Sequence, residues 1–143
     1  MTNTKGIYRK GIAAEFQVSL ALQKMGWKTA ISPGSRGPAD IMATKGGSKW
    51  FIQVKVRKNP SQIPLKPTEE SKLFAHSDAR GGIPVVALVT EIPGGLLMVE
   101  SNIRDSQKPF LIRGGHGNFV AIELENNWVL FLFDLRTGSS IEP

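Results

Sequence analysis

The chain has 143 residues, of which 41% are hydrophobic and 21% are charged, and this composition is typical of a single globular domain over residues 1–143. It contains no cysteine and no apolar run long enough to cross a bilayer, so disulfide bonds, thiolate zinc sites, cysteine nucleophiles and membrane spans are excluded and a cytoplasmic location is expected. Its formal net charge of +6 favours a polyanionic partner such as nucleic acid, because basic domains often bind one.

The first part of the chain predicts a helix followed by a short strand and a loop. Apolar residues recur at helical spacing from about Gly6 to Met25, and Gly26 follows directly, as a C-terminal cap would. Glu15 lies at the edge of this apolar stripe, where its side chain can face a cleft beside the core. Lys28 to Ile31 predicts a short strand, and the Gly- and Pro-rich stretch Ser32 to Pro38 predicts a loop.

Two strands joined by a Gly-Gly turn come next, and they predict a hairpin. The strands are Asp40 to Thr44 and Trp50 to Val56. Because side chains alternate along a strand, Gln53 and Lys55 point to the same face. Across the hairpin, Asp40 can approach Gln53.

A helix from Thr68, its predicted cap, to Gly81 precedes an apolar strand from Ile83 to Thr90. A strand, a helix and a second strand in this order predict a crossover and a parallel pair. Leu96 to Glu100 is expected to pair back as a further strand.

The last third of the chain gives weaker patterns. Residues 101–118 are polar and rich in glycine and predict a loop. Phe119 to Leu124 alternates and Trp128 to Leu135 is strongly apolar, which favours a hairpin. The apolar stretch Trp128 to Phe133 has an alternative explanation as a dimer surface. The tail Thr137 to Pro143 is expected to be frayed.

Four residues in this pattern carry chemistry: Glu15, Asp40, Gln53 and Lys55. Together they offer two carboxylates, an amide oxygen and an ammonium, and such hard oxygen donors suit Mg²⁺. A bound Mg²⁺ could lower the pKa of a water molecule, and Lys55 could orient that water and stabilise the transition state. Taken singly, each residue also has an ordinary explanation, such as a solvated lysine on a strand. Their order and spacing indicate a phosphodiesterase site.

The segment from Tyr8 to Glu15 resembles the opening of the archaeal Holliday junction resolvases, a branch of the PD-(D/E)xK nuclease superfamily. The later motifs of that family follow in order: Gly26-Trp27, a Ser/Gly loop, Asp40, Gln53-Val54-Lys55 with basic residues behind it, and Gly81-Gly82 before a strand. The resemblance covers roughly Tyr8 to Glu100.

This resemblance implies a restriction-endonuclease-like α/β fold with an αβββαβ core over a mixed central sheet. The core would span about residues 6–100, with C-terminal strands and a tail over about 101–143. The resemblance further implies Mg²⁺-dependent cleavage of DNA, with Mn²⁺ as a possible substitute metal, and a homodimer whose two sites nick opposed strands of a four-way junction in recombination and repair.

The resemblance also implies roles for single residues. Glu15 and Asp40 match the carboxylates that hold the metal, Val54 would lend its backbone carbonyl, and Lys55 matches the catalytic lysine. Ser32 or Ser35 matches a loop serine near the scissile phosphate. The predicted DNA contacts are Arg9, Lys10, Ser32, Ser35, Arg36, Arg57 and Lys58.

Gln53 departs from the resolvase pattern, which has glutamate at this position. The change removes one negative charge, although an amide oxygen can still bind Mg²⁺ as a catalytic metal ligand. Mrr-like restriction nucleases look similar in their use of Gln-x-Lys. Three functions therefore remain open: a junction resolvase, an Mrr-like nuclease for duplex DNA, and a DNA-binding module with a disabled site.

Overall fold

The computed structural model describes residues 4–32, 37–57, 65–91, 121–125 and 128–143, and it describes their side chains except at 4–10 and 91. The predicted strand at 96–100 and the predicted loop at 101–118 lie outside the described residues. Within the described residues, no helix combines the length and the apolar character that crossing a membrane requires.

The helices and strands follow the predicted order through the first 91 residues. The elements are α1 (Thr4–Lys24), β1 (Lys28–Ile31), β2 (Ile41–Lys45), β3 (Ser48–Arg57), α2 (Pro67–Ala79), β4 (Ile83–Glu91), β5 (Ala121–Glu123) and β6 (Trp128–Asp134). The first six of them are the αβββαβ arrangement, so the predicted α/β class is confirmed.

The strands of the described residues form one mixed sheet in the order β1-β2-β3-β4-β6-β5. β3 and β4 are parallel, which confirms the predicted crossover through α2, and the other neighbours are antiparallel. The hairpin of β5 and β6 is also confirmed. The edge strands β1 and β5 have only four and three residues, and short edges expose few unpaired backbone groups.

The two helices cover opposite faces of this sheet. Trp50, Ile52 and Val54 of β3 belong to a buried cluster with Val18 and Leu22 of α1. The alternate residue, Phe51, packs instead with Leu73 of α2 and Val86 of β4. Since side chains alternate along a strand, the side chains of Gln53 and Lys55 share the α2 face.

The apolar stretch Trp128 to Phe133 is an internal strand, so its interpretation as a dimer surface is wrong. β6 lies between β4 and β5 in the sheet. All six of these residues are at most 8% exposed. The chain itself buries the apolar side chains that would have formed the predicted interface.

The C-terminal tail is held against β6, so the prediction that it frays is also wrong. Ser140 forms a β-bridge with Phe133, and the Ile141 N–H donates to the Leu132 carbonyl at 2.9 Å. The Ile141 side chain packs against the core on the α1 side of the sheet. A terminus stays ordered when its backbone is hydrogen-bonded and an apolar side chain is buried.

Helix α2 begins at Pro67, with Lys66 rather than Thr68 as its N-cap. Proline suits the first helical position because its fixed φ is helical and its missing N–H would have no partner there. The Lys66 N–H donates to Oε1 of Glu69 at 3.3 Å. The helix therefore starts with a fixed carboxylate in its first turn.

Gly82 sits where β3 leaves no room for a side chain. A Cβ at this position would lie 2.5 Å from Cε2 of Phe51 and 3.0 Å from the Lys49 carbonyl oxygen. We expect Gly82→Ala to lower the free energy of unfolding in denaturant by about 1–3 kcal/mol, the usual cost of overpacking. Gly11→Ala is the matched control, because a Cβ there meets nothing within 4 Å and alanine favours a helix by roughly 0.5–1 kcal/mol. Equal stability of the two variants would contradict this packing.

Candidate active site

Asp40 lies immediately before β2, with its side chain directed at β3. Its N–H donates to the Ile52 carbonyl at 2.8 Å, and its Oδ2 accepts from the Val54 N–H at 2.8 Å. The β2–β3 ladder ends at Ile41, which pairs with Ile52, and the two bonds of Asp40 go to Ile52 and Val54, the residues on either side of Gln53; Asp40 thus approaches Gln53, as the hairpin predicts. The Asp40 side chain is thus fixed at the end of the paired region.

Burial of Asp40 has an electrostatic cost. The residue is 4% exposed, and loss of hydration is the main cause that raises the pKa of its carboxyl group. The Val54 N–H and the charge of Lys55 act in the opposite direction, and the charge of Glu69 adds to the increase. An ionised carboxylate in such a place gains from a nearby cation.

The Lys55 ammonium forms an ion pair with Glu69 of α2. Nζ of Lys55 lies 2.7 Å from Oε2 of Glu69, and the two side chains are 19% and 33% exposed. This hydrogen bond is the main cause that lowers the pKa of Glu69, so the carboxylate is ionised at neutral pH. Because Asp40 accepts from the Val54 N–H and Lys55 follows Val54 in β3, the ion pair lies near Asp40.

Glu69 was not assigned to the site by the sequence analysis. A signal was nevertheless present. A helix that crosses between parallel strands starts near the C-terminal end of the first strand. Lys55 lies near that end of β3, so an acidic residue in the first turn of α2 was a natural partner for it.

Gln53 and Val54 present oxygen atoms near Asp40. Gln53 is half-buried and shares the face of Lys55. The N–H and the C=O of one strand residue point to the same strand edge. Since the Val54 N–H reaches Asp40, the Val54 carbonyl points to the same edge of β3. This edge lies past the end of the ladder with β2, whose last pair is Ile41 and Ile52.

Glu15 approaches from the other side of the sheet. It is 9% exposed and lies beside the fully buried Ala14 on α1, the helix that covers the face opposite α2. Its approach to Asp40 therefore stays a prediction. Of the two candidate loop serines, Ser32 adjoins the site through its backbone, because its N–H donates to the Asp40 carbonyl at 2.8 Å.

The predicted DNA contacts are only partly described. Arg57 ends β3, is exposed and shares the face of Lys55 by strand alternation; its Nη1 donates to the Val56 carbonyl at 2.7 Å. The other predicted contacts lie outside the described residues or side chains: Arg9, Lys10, Ser35, Arg36 and Lys58.

The residues around Asp40 offer hard oxygen donors, which suit Mg²⁺. In the part of the chain that the structure describes, no group of three or more histidine, aspartate or glutamate side chains is arranged to hold a metal. Mg²⁺ keeps several waters and binds through one or two carboxylates, which the buried Asp40 and the predicted approach of Glu15 would supply. The Gln53 amide and the Val54 carbonyl add neutral oxygens of the same hard type.

Comparisons with known proteins connect this geometry to a family. Residues 6–127 match the family model described as archaeal Holliday junction resolvase (Hjc), a range that includes Glu15, Asp40, Gln53 and Lys55. Among solved structures, Hjc from Archaeoglobus fulgidus, described as a Holliday junction resolvase from an archaeal hyperthermophile, is 30% identical to this chain. That match covers 55% of this chain and 63% of the Archaeoglobus chain, with a TM-score of 0.49. The matched region of this chain therefore spans less than two thirds of the length of the Archaeoglobus protein.

Proposed function

This chain belongs to the archaeal Holliday junction resolvase family, and from that premise we propose that it is a Mg²⁺-dependent endodeoxyribonuclease that cleaves four-way DNA junctions. The whole chain would act as one nuclease domain of the PD-(D/E)xK type. We further propose that it works in the cytoplasm, in DNA recombination and repair.

The observation that carries this proposal is the presence of a buried carboxylate and a partly buried lysine at one end of the β2–β3 hairpin. Asp40 is fixed by the Val54 N–H, and Lys55 follows Val54 directly in β3. A hydrolytic phosphodiesterase needs an anionic place for a metal and a cation for the phosphate. Both features occur here within one hairpin.

Asp40 and Glu15 would hold the metal, with the Gln53 amide oxygen and the Val54 carbonyl as neutral ligands. When bound, Mg²⁺ lowers the pKa of an attacking water molecule and offsets negative charge on the phosphate. The Lys55 ammonium would orient that water and stabilise the charge that develops on the phosphate oxygens. Ser32 and Arg57 would contact the DNA backbone and fix its register, as phosphate contacts do.

A homodimer suits this substrate. A four-way junction has two opposed strands to cut, and a two-fold dimer carries two equivalent sites. We therefore propose that two copies of the chain bind one junction.

A second candidate, a DNA-binding module with a disabled site, is favoured by one observation. Gln53 supplies no charge where the resolvase pattern has a glutamate. Such a protein would keep the basic surface and bind branched DNA without cutting it. An Mrr-like nuclease for duplex DNA is the alternative among enzymes, since Gln-x-Lys is the motif that resembles that group.

Cleavage of a labelled four-way junction and of a duplex with the same arm sequence, in Mg²⁺ and in chelator, separates these functions. Paired symmetric nicks in the junction alone, dependent on Mg²⁺, are the expected result. Equal cutting of the duplex would favour the Mrr-like nuclease. Junction binding without cuts in either Mg²⁺ or Mn²⁺ would establish the binding module and contradict the enzyme.

Gln53→Glu restores the carboxylate that the resolvase pattern has. We expect the Mg²⁺ concentration for half-maximal cleavage to fall roughly tenfold, within the range that single groups at metal sites contribute. In chelator the same variant should unfold at a lower temperature, because residue 53 lies between the two residues that bond Asp40 and the new charge repels that carboxylate.

Gln23→Glu is the control, since it adds the same charge at an exposed position near the end of α1. It should leave the Mg²⁺ requirement unchanged. If Gln53→Glu left both the Mg²⁺ requirement and the melting temperature unchanged, residue 53 would not lie in the metal site.

A further inference from the structure

The ion pair of Lys55 and Glu69 joins the central strand β3 to the first turn of α2. The 2.7 Å distance between Nζ and Oε2 is typical of a charge-assisted hydrogen bond, which is roughly twice as strong as a neutral one. Both side chains are partly buried, so solvent screens this pair less than it screens an exposed one. The lysine therefore has a defined partner in the folded protein.

Glu69 is itself fixed at both carboxylate oxygens. Oε2 accepts from Lys55, and Oε1 accepts from the Lys66 N–H at 3.3 Å. Glu69 also lies in the first turn of α2, where the helix dipole favours a negative charge. An anion held in this way can restrain the group that it binds.

Lys55 needs such a restraint if it acts in catalysis. A lysine side chain is a point charge on a flexible four-carbon stem, and small misplacements of a reacting group cost rate steeply. Asp40 accepts a hydrogen bond from the Val54 N–H, and Lys55 is the next residue of β3. Glu69, which is bonded to Lys55, thus lies close to the hairpin site, on the same face of the sheet as Lys55.

We propose that Glu69 is a positioning residue, which holds the Lys55 ammonium beside Asp40 in the orientation that cleavage requires. This inference rests on the proposed nuclease function and assigns to α2 a part in the site. Glu69 would touch neither the metal nor the DNA, and its effect on the rate would pass entirely through Lys55.

The first test compares single-turnover junction cleavage by the wild type, Glu69→Gln and Glu69→Asp. We expect Glu69→Gln to lower the rate by about 10–100-fold, the range for loss of a group that orients a site residue, with junction affinity in chelator unchanged. Glu69→Asp keeps the charge and should recover part of the rate. Asp78→Asn is the matched control, because it removes the α2 ion pair with Arg136 at the other end of the helix.

A double-mutant cycle tests whether Glu69 acts through Lys55. In a Lys55→Met background, Glu69→Gln should change the residual rate by less than about twofold, since coupled residues give non-additive effects. A further loss in that background would mean that Glu69 acts on the metal or the DNA itself and would overturn the proposal. Cleavage by Glu69→Gln at or above the wild-type rate would overturn it as well, because Glu69 would then restrain Lys55 unproductively.

Lysine side-chain NMR in chelator gives a readout that needs neither metal nor cleavage. The Lys55 resonance, identified by its loss in Lys55→Met, should differ from those of exposed lysines in the wild type and in Asp78→Asn. It should move to the exposed-lysine position in Glu69→Gln, and an unchanged resonance would overturn the inference. If the wild type cuts no DNA, the proposed function fails by itself, and this comparison still decides whether Glu69 fixes Lys55.

Discussion

Asp40→Asn should reduce Mg²⁺-dependent junction cleavage by about 10³-fold, the order of loss when one charge-stabilising group leaves an active site. The same change should raise the melting temperature of the protein in chelator. Asparagine keeps an oxygen that can accept from the Val54 N–H, so the hydrogen bond at this position is retained. What the variant loses is the buried charge.

The stability gain follows from the raised pKa of Asp40. Burial raises the pKa of this carboxyl group above its ordinary value of 3.8, so the folded state binds a proton more tightly than the unfolded state. As the pH rises from the ordinary pKa of 3.8 through the raised pKa of the folded state, the stability of the wild type therefore falls relative to that of Asp40→Asn. The advantage of Asp40→Asn should grow as the pH rises through the raised pKa of Asp40 and vanish in acid.

Added Mg²⁺ should reverse the order of stability. A metal that binds only the folded state stabilises it by about 1.4 kcal/mol at ten times Kd, and Asp40→Asn should lose most of this gain. Asp78→Asn, at an exposed position on α2, serves as the control and should behave as the wild type does. If Mg²⁺ stabilised Asp40→Asn as much as the wild type, Asp40 would not be a metal ligand.

Lys55→Met should lower the single-turnover rate of cleavage by about 10²–10³-fold, again the range for one group that stabilises developing charge. Junction affinity in chelator should change by less than about threefold, and its salt dependence should lose at most roughly one phosphate contact. The reason is that Glu69 already neutralises the Lys55 charge in the ground state. The loss should therefore appear in the rate of the chemical step.

Lys49→Met provides the matched control for this prediction. Lys49 shares the face of Lys55 on β3, six residues earlier, which is roughly 20 Å along an extended strand. Its Nζ contacts the Arg80 carbonyl at 3.5 Å, away from Asp40. If both lysine variants lost cleavage to the same extent, Lys55 would contribute only to the general positive charge of the surface.

The parts of the fold that sequence predicts best are those with local causes. The two strands and the Gly-Gly turn between them predict that Asp40 approaches Gln53, and in the structure Asp40 bonds Ile52 and Val54, the residues on either side of Gln53. The apolar stripe from about Gly6 to Met25, with Gly26 behind it, predicts both ends of α1 to within two residues. The strand, helix and strand order gives the parallel pair of β3 and β4. Each of these features depends on a local pattern or on the order of consecutive elements.

The parts that sequence misses depend on packing between distant segments. The tail is ordered because Ile141 reaches the core and Ser140 pairs with Phe133, contacts that no pattern in the tail itself predicts. From sequence alone, the apolar stretch Trp128 to Phe133 is compatible with an exposed patch, because only the structure shows that β6 lies between β4 and β5. Glu69 joins the site only because α2 docks with its first turn over Lys55.

The position of β4 in the sheet has a consequence for synthesis of the protein. Its parallel neighbour β3 leaves the ribosome first, whereas its other neighbour, β6, follows nearly forty residues after β4 ends. During that interval the edge of β4 that later pairs with β6 has no hydrogen-bonded partner strand, although β4 has nine mostly apolar residues. Unpaired strand edges of this kind are templates for pairing with other chains. The nascent chain is therefore most vulnerable to aggregation, and most in need of a chaperone, after β4 has emerged and before β6 has followed.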